Sequence, residues 1–97
     1  MYIANVTATN EWQSVEELVS TATGETFSFS SGSTYHITND SDYNAFLVNQ
    51  DTAPTEKTGV GMVLPPHTQA SFKTGTSTKL YCIVNTEPVN LCVELEG

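Results

Sequence analysis

Apolar and polar residues alternate in short runs from Phe27 to Leu95, and Gly, Pro, Asn or Asp separates these runs about every eight to twelve residues. The clearest runs are FSFS, TYHIT, NAFLVN, QASFK, KLYCIV and NLCVEL. Alternation with a period of two is typical of half-buried strands, and breaks at this spacing are typical of small β domains. The pattern therefore predicts an all-β fold for residues 26–96, a single antiparallel β-sandwich or jelly-roll-like barrel of about seven or eight short strands.

A different pattern precedes these strands. Residues 1–10 alternate weakly, which predicts a first strand or an ordered N-terminal arm. Apolar residues then recur at helical spacing, so residues 11–23 predict one short helix that packs on the sheets through Trp12 and Leu18. Asn10 is expected to be its N-cap. The whole chain, 1–97, is predicted to form one domain.

Several runs allow individual strands to be paired from sequence. FSFS is expected to form a hairpin with Thr34–Thr38, in which Tyr35 and Ile37 share one face. The run Tyr43–Asn49 has apolar residues at both alternations, which predicts a strand buried on both faces. These assignments place the core between two sheets of short strands.

The last two runs predict a second hairpin that contains both cysteines. It places Cys82 opposite Cys92 and puts Tyr81 and Ile83 on the core face. An opposed pair of this kind approaches disulfide geometry, but a reducing cytoplasm favours two free thiols that pack as small hydrophobic side chains. Two thiols are too few ligands for a structural zinc site.

The charge of the chain changes the list of possible partners. Three lysines, no arginine and eleven acidic residues give a net charge of −8. Such a surface repels phosphate groups, which disfavours nucleic acid and anionic membranes as partners. It keeps a small protein soluble and would attract a basic protein surface or divalent cations. A chain of 97 residues buries a modest core, so assembly with copies of itself or with a larger partner is expected.

No set of residues predicts catalysis or metal binding. Ser33, His36 and Asp40 are close in sequence, but successive strand residues point to opposite faces and no nucleophile-elbow motif is present. Asp40, Asp42 and Asp51 include the start of a calcium-loop pattern without its glycine or its distal glutamate, so turn formation explains them better. We therefore expect no enzyme, no cofactor and no metal.

The first residues carry neither a basic nor an apolar leader-like stretch, and no run is long enough to span a membrane. We expect synthesis in a cytoplasm, followed by retention there or by release without a signal. Release of an assembled particle by lysis is one such route.

Short motifs between Ile37 and Val93 carry a resemblance to a known type of protein. In chain order they are Ile37-Thr38-Asn39, Ala45 to Val48, Ala53-Pro54-Thr55, Gly59 to Pro65, Lys79-Leu80-Tyr81 and Leu91-Cys92-Val93. Together with the helical patch before them, they resemble small β-sandwich virion proteins of tailed bacteriophages. Pro66-His67 departs from that pattern, which more often has Gly-Glu there.

The resemblance implies a non-enzymatic structural protein that decorates or cements the exterior of a phage capsid. It implies synthesis in the host cytoplasm, a place on the virion surface, and contacts with the major capsid protein and with copies of the chain in a dimer or trimer. The N-terminal arm is the expected contact segment, through Tyr2, Ile3, Asn5 and Val6. The alternatives are a tail, fibre or neck component and a carbohydrate-binding adhesion module, which a cluster of exposed aromatic residues would favour.

Overall fold

The computed structural model describes residues 1–76, 78–85 and 87–96. Residues 77, 86 and 97, which the predicted domain also spans, lie outside that description. The described residues form eight strands and one helix. In chain order these are β1 (Tyr2–Ala8), β2 (Gln13–Ser14), α1 (Val15–Thr23), β3 (Thr34–Asn39), β4 (Ala45–Asn49), β5 (Met62–Leu64), β6 (Gln69–Lys73), β7 (Leu80–Val84) and β8 (Val89–Leu95).

The strands form two antiparallel four-stranded sheets, with the orders β1-β8-β3-β6 and β2-β7-β4-β5. Strand β4 pairs with β5, β3 with β6, β2 with β7, and β1 with β8. The chain is thus one long hairpin with β4 and β5 at its tip, rolled up so that β3 also meets β8 and β4 meets β7. This is the topology of a jelly roll. The predicted small antiparallel sandwich with one short helix is confirmed.

Alternating strand residues from both sheets, together with two valines of α1, form the core. The residues of this core cluster are Ala4, Val6, Ala8, Val15, Val19, Ile37, Ala45, Leu47, Leu64, Leu80, Cys82, Val84, Val89, Leu91 and Val93. Tyr35 and Ile37 are both buried while His36 is only half-buried, as the alternation predicts. Strand β4 is fully buried on one face only, so its predicted burial on both faces is only partly correct.

Helix α1 begins later than the sequence predicts. Residues Gln13 and Ser14 pair with β7 instead of forming a first helical turn. The N-cap is Ser14, whose Oγ accepts a hydrogen bond from the Glu17 N–H at 3.3 Å, so the assignment of Asn10 as the cap is wrong. Val15 and Val19 are fully buried beside β1. The helix therefore closes the side of the sandwich where β1 and β2 lie.

The FSFS run is not a strand, and the hairpin predicted from it is wrong. Phe27 and Phe29 do pack against the core, and both rings make edge-to-face contacts with Tyr35. Their backbone N–H groups, however, donate to side chains of α1, namely Ser20 Oγ and Glu16 Oε2, each at 2.8 Å. Because helix side chains satisfy these donors, the segment alternates without joining a sheet.

The predicted hairpin of the last two strands is also wrong, because β7 and β8 belong to different sheets. Cys82 is fully buried in the core, and Cys92 is half-buried on the outer face of the other sheet. Tyr81 and Ile83 alternate with core residues of β7, so they face away from the core rather than into it. Both cysteines are free thiols, as predicted.

Candidate interaction surface

The outer face of the β2-β7-β4-β5 sheet is apolar. Phe46 pairs with Ile83 on one side and with Val63 on the other, and Val48 pairs with Tyr81. Paired residues in neighbouring strands share a face. We call these five side chains the apolar face. Ile83 at its centre is 1% exposed, Val63 at the edge is 47% exposed, and the other three are half-buried.

The outer face of the other sheet is polar, and we call it the polar face. Its side chains are Asn5, Thr7, Thr34, His36, Thr38, Gln69, Ser71, Lys73, Asn90, Cys92 and Glu94. An antiparallel sheet that packs on the core with one face normally presents polar residues on its other, solvated face. The apolar face departs from that norm: Val63 is exposed and Phe46, Val48 and Tyr81 are half-buried, and apolar surface left in water on a sheet face is a candidate interaction site.

Acidic residues lie on two sides of the apolar face. Asp42 lines a shallow cleft of about 310 Å³ that continues the face past Phe46 and Tyr43. On another side, the loop between β4 and β5 carries exposed Asp51 and Glu56. The same loop carries Lys57, which pairs with Glu11 at 2.6 Å. The surface thus has an uncharged centre and a charged, mainly acidic rim, and a polar rim around an apolar centre is found at protein–protein interfaces.

Trp12 fixes the position of that loop. Its Nε1–H donates to the Glu56 carbonyl at 2.7 Å. Gly61 lies at the other end of the loop with a φ of 98°, and a Cβ there would be 2.8 Å from the Leu47 carbonyl oxygen and 3.6 Å from the Trp12 ring. Trp12 precedes the helix instead of packing from it, and it lies outside the core cluster. The prediction that the helix packs on the sheets through Trp12 is therefore wrong, because the Trp12 ring holds a surface loop in place.

Asn39 organises the turn beside Tyr43. This fully buried side chain donates from Nδ2 to the Tyr43 carbonyl at 2.7 Å and to the Leu64 carbonyl at 3.0 Å. Its Oδ1 accepts from the Ser41 N–H at 3.1 Å. One amide thus links the end of β3 to the turn before β4 and to β5. The local sequence gives no sign that Asn39 is buried.

Two further concave regions border the apolar face, one sharing Tyr81 with it and the other sharing Val48. A cleft of about 570 Å³ lies between α1, the segment 26–28 and β7, and its lining includes Trp12, Tyr81, Glu17 and Lys79. A narrower groove of about 230 Å³ opens between the two sheets where β5 and β6 are the edge strands.

The trio Ser33, His36 and Asp40 is not brought together. The His36 ring instead lies with Nδ1 2.6 Å from Ser71 Oγ and Nε2 3.3 Å from Glu96 Oε1. These residue types match a nucleophile, a base and an acid. Ser71, His36 and Glu96 nevertheless lie together on the open polar side of the sheet. Neither His36 nor Glu96 lines any of the three concave regions. Nothing at that position encloses a substrate.

The predicted acidic turn residues also stay apart from one another. Asp42 pairs with His67 at 2.9 Å on the surface. The Asp40 N–H donates to the Asn90 carbonyl, which continues the pairing of β3 with β8 by one residue. Across the described ranges 1–76, 78–85 and 87–96, no group of three His, Cys, Asp or Glu side chains could hold a metal ion.

The predicted N-terminal contact residues lie in β1, which pairs along its length with β8. Tyr2 and Asn5 are exposed on the polar face. Ile3 sits at a bulge and packs partly on the core. Val6 is only 4% exposed, so it cannot touch a partner while β1 stays in the sheet. Sequence alone could not separate these four positions, because a short alternating arm does not show which face will be covered.

Both thiols are poor nucleophiles. Burial raises the pKa of Cys82 from 9.0 to about 12. The pKa of Cys92 is raised by partial burial and then by the negative charges of Glu94 and Asp40. Since the thiolate is the reactive form, neither cysteine has the environment of a catalytic or redox residue.

Comparison with protein families, with curated proteins and with solved structures finds no match for this chain. No helix in the part of the chain that the structure describes is long and apolar enough to cross a membrane.

Proposed function

We propose that this protein is a non-enzymatic structural component of a bacteriophage virion that decorates or cements the capsid exterior. Its partners in this proposal are the major capsid protein and copies of itself. It is made in the host cytoplasm and works on the capsid surface, where a protein that binds only the assembled shell stabilises that shell by mass action.

The observation that carries the proposal is the apolar face with its acidic rim. In a chain of net charge −8, Phe46, Ile83 and Val63 form a row with no charged residue. Ile83 is already buried, so the gain in hydrophobic free energy comes from Val63 and Phe46, whose remaining exposed surface a partner can cover without desolvating a charge. The acidic rim selects a partner with a basic rim. Two copies could not meet face to face as favourably, because their acidic rims would then lie together.

The fold supports the same role by analogy. Jelly rolls build viral capsid domains and lectins, although one fold can host many functions. The chemistry of this chain also favours binding over catalysis. Of its two histidines, His36 lies on an open sheet face and His67 is exposed at the surface, and its two thiols are held protonated.

The test is retention on phage capsids prepared without this protein, compared between two charge insertions. Val63→Glu places a carboxylate in the apolar face, whereas Thr7→Glu places one on the exposed polar face of β1. We expect Val63→Glu to lose at least about tenfold in affinity, equal to about 1.4 kcal/mol, and Thr7→Glu to bind as the wild type does. The reverse pattern would assign the contact to β1 beside Tyr2 and Asn5 and refute the apolar face.

A second candidate function rests on the cleft beside α1. That cleft combines the rings of Trp12 and Tyr81 with Glu17, Lys79 and several hydroxyl groups, which suits a neutral saccharide. This is the adhesion-module alternative. Binding of a glycan that is lost in Tyr81→Ala but kept in Val63→Glu would favour it. No binding across a panel of neutral glycans would exclude it.

A further inference from the structure

The side of the sandwich opposite α1 is open. Helix α1 packs beside β1 and β2, whereas β5 and β6 are edge strands. An apolar groove lies between these two edges and is lined by Leu47, Met62, Phe72 and Leu80. Met62 is 55% exposed there, so the groove leaves apolar surface in water.

Strand β6 presents free backbone hydrogen-bonding groups along this side. The Asn39 N–H donates to the Thr68 carbonyl, and the Thr74 N–H donates to the Ser33 carbonyl. Hydrogen-bonding positions alternate in an antiparallel pair, so the backbone groups of the odd-numbered residues of β6 point away from β3. Those residues are Gln69, Ser71 and Lys73.

The edge of β6 has little of the usual protection against strand addition. Natural edge strands are shortened, bulged, covered, interrupted by proline or protected by charged side chains, especially lysine. Strand β5 is three residues long and is followed by Pro65-Pro66. Strand β6 is five residues long, pairs with β3 in unbroken register and contains no proline, and its one charged residue, Lys73, lies at its end. An added strand would therefore join at β6.

The distribution of charge indicates that the partner at β6 is a second copy of the chain. Neither β6 nor the lining of the groove contains an acidic residue, although the chain has eleven. Two copies can meet here without bringing carboxylates together. An antiparallel pairing centred on Ser71 places Gln69 opposite Lys73 of the second copy, uses every free backbone group of β6 and opposes no like charges.

We infer that β6 is a homodimer interface, in which two copies add to one another about a two-fold axis at Ser71 and form a continuous eight-stranded sheet. This assigns a surface to the self-association included in the proposed function, and it leaves the apolar face free for the capsid. Because the tests below use the purified protein alone, their failure would not bear on capsid binding.

The first test measures mass in solution. Light scattering or sedimentation across a concentration series should show conversion from 10.5 kDa to twice that mass. Ser71→Pro removes a backbone N–H that points to the free edge, a position where a strand tolerates proline. It should stay monomeric with an unchanged circular dichroism spectrum, whereas Ser71→Ala should still dimerise. A monomeric wild type at every concentration would overturn the inference.

The second test measures register by disulfide cross-linking, in a Cys92→Ser background because Cys92 is the half-exposed thiol. Directly opposed residues have Cα atoms about 5.5 Å apart, within disulfide range, so Ser71→Cys should cross-link to itself. Gln69 and its symmetry mate would lie about 14 Å apart, four residues along the strand. Gln69→Cys and Lys73→Cys should therefore cross-link to each other when mixed but not to themselves. Equal self-cross-linking by all three variants would refute this register.

Discussion

Replacement of Asn39 by alanine should destabilise the fold more than any other loss of a single polar side chain. The amide links three parts of the chain through bonds to Tyr43, Leu64 and Ser41. The bonds to Tyr43 and Ser41 are partly exposed, and each contributes about 0.5–1.5 kcal/mol. The bond to the Leu64 carbonyl is buried, and leaving that carbonyl without a partner costs about 1–3 kcal/mol. The expected loss is about 4 kcal/mol.

Urea unfolding measures this loss directly. With a slope of about 2 kcal/mol per molar urea, typical of a small domain, a loss of about 4 kcal/mol lowers the midpoint by about 2 M. In a thermal scan, the same loss lowers Tm by about 15–30 °C in a domain of this size. Asn44→Ala, at an exposed position of the same turn, is the matched control and should change stability by less than about 0.5 kcal/mol.

Asn39→Asp separates hydrogen bonding from loss of volume. The aspartate has nearly the size of asparagine and can still accept from the Ser41 N–H. It presents an oxygen, however, to the Tyr43 and Leu64 carbonyls where the amide donates at 2.7 and 3.0 Å. It should therefore destabilise at least as much as alanine at neutral pH. An Asn39→Ala protein within about 1 kcal/mol of the wild type, or a benign Asn39→Asp, would refute the assigned role.

Three further predictions follow from local geometry. Gly61→Ala should destabilise clearly more than Gly59→Ala, because both positions have positive φ but only a Cβ at Gly61 meets a backbone oxygen, at 2.8 Å; chemical denaturation of the two variants makes the comparison. Because the pKa of Cys82 is raised to about 12 in the fold, its contribution to stability is complete below about pH 9 and falls as the pH rises towards 12. At pH 10.5 the wild type should therefore lose about 2 kcal/mol relative to its value at pH 8, a loss absent from Cys82→Ala, and parallel pH dependence in the two proteins would contradict the shift. A thiol reagent at pH 8 should label Cys92 slowly in the folded protein and Cys82 only after denaturation, so rapid native labelling of both would show that Cys82 is not enclosed.

The sequence predicted most strand positions because alternation reports burial locally. Tyr35 and Ile37 lie on the buried side of β3 as expected, since each position depends only on its immediate neighbours. The partner of each strand depends on the whole topology. Strands β7 and β8 are consecutive in the chain but belong to different sheets. In sequence, the short polar segment that joins them resembles a hairpin turn. Cys82 and Cys92 were paired wrongly for this reason.

The candidate surface was harder to predict than the fold. Predicting an apolar outer face requires knowing which set of alternating residues in β4 and β7 points outward. The sequence did not show this, because Phe46 and Val48 were assigned to a strand buried on both faces. Strand β6 is an edge strand because of the strand order of its sheet, and the local sequence pattern does not show strand order. Helix α1 was misplaced because Gln13 and Ser14 have a sheet partner that is distant in sequence. In each case a long-range contact decided between two locally equivalent structures.

The most direct test of the proposed capsid contact is an image of the bound complex. Phage capsids prepared without this protein are incubated with it, sedimented, and imaged by electron microscopy. We predict ordered density at repeated capsid positions, with Phe46 and Val63 of each copy buried against the major capsid protein. Absence of the protein from the capsid, or attachment through the polar face with Phe46 and Val63 left in solvent, would contradict the proposal.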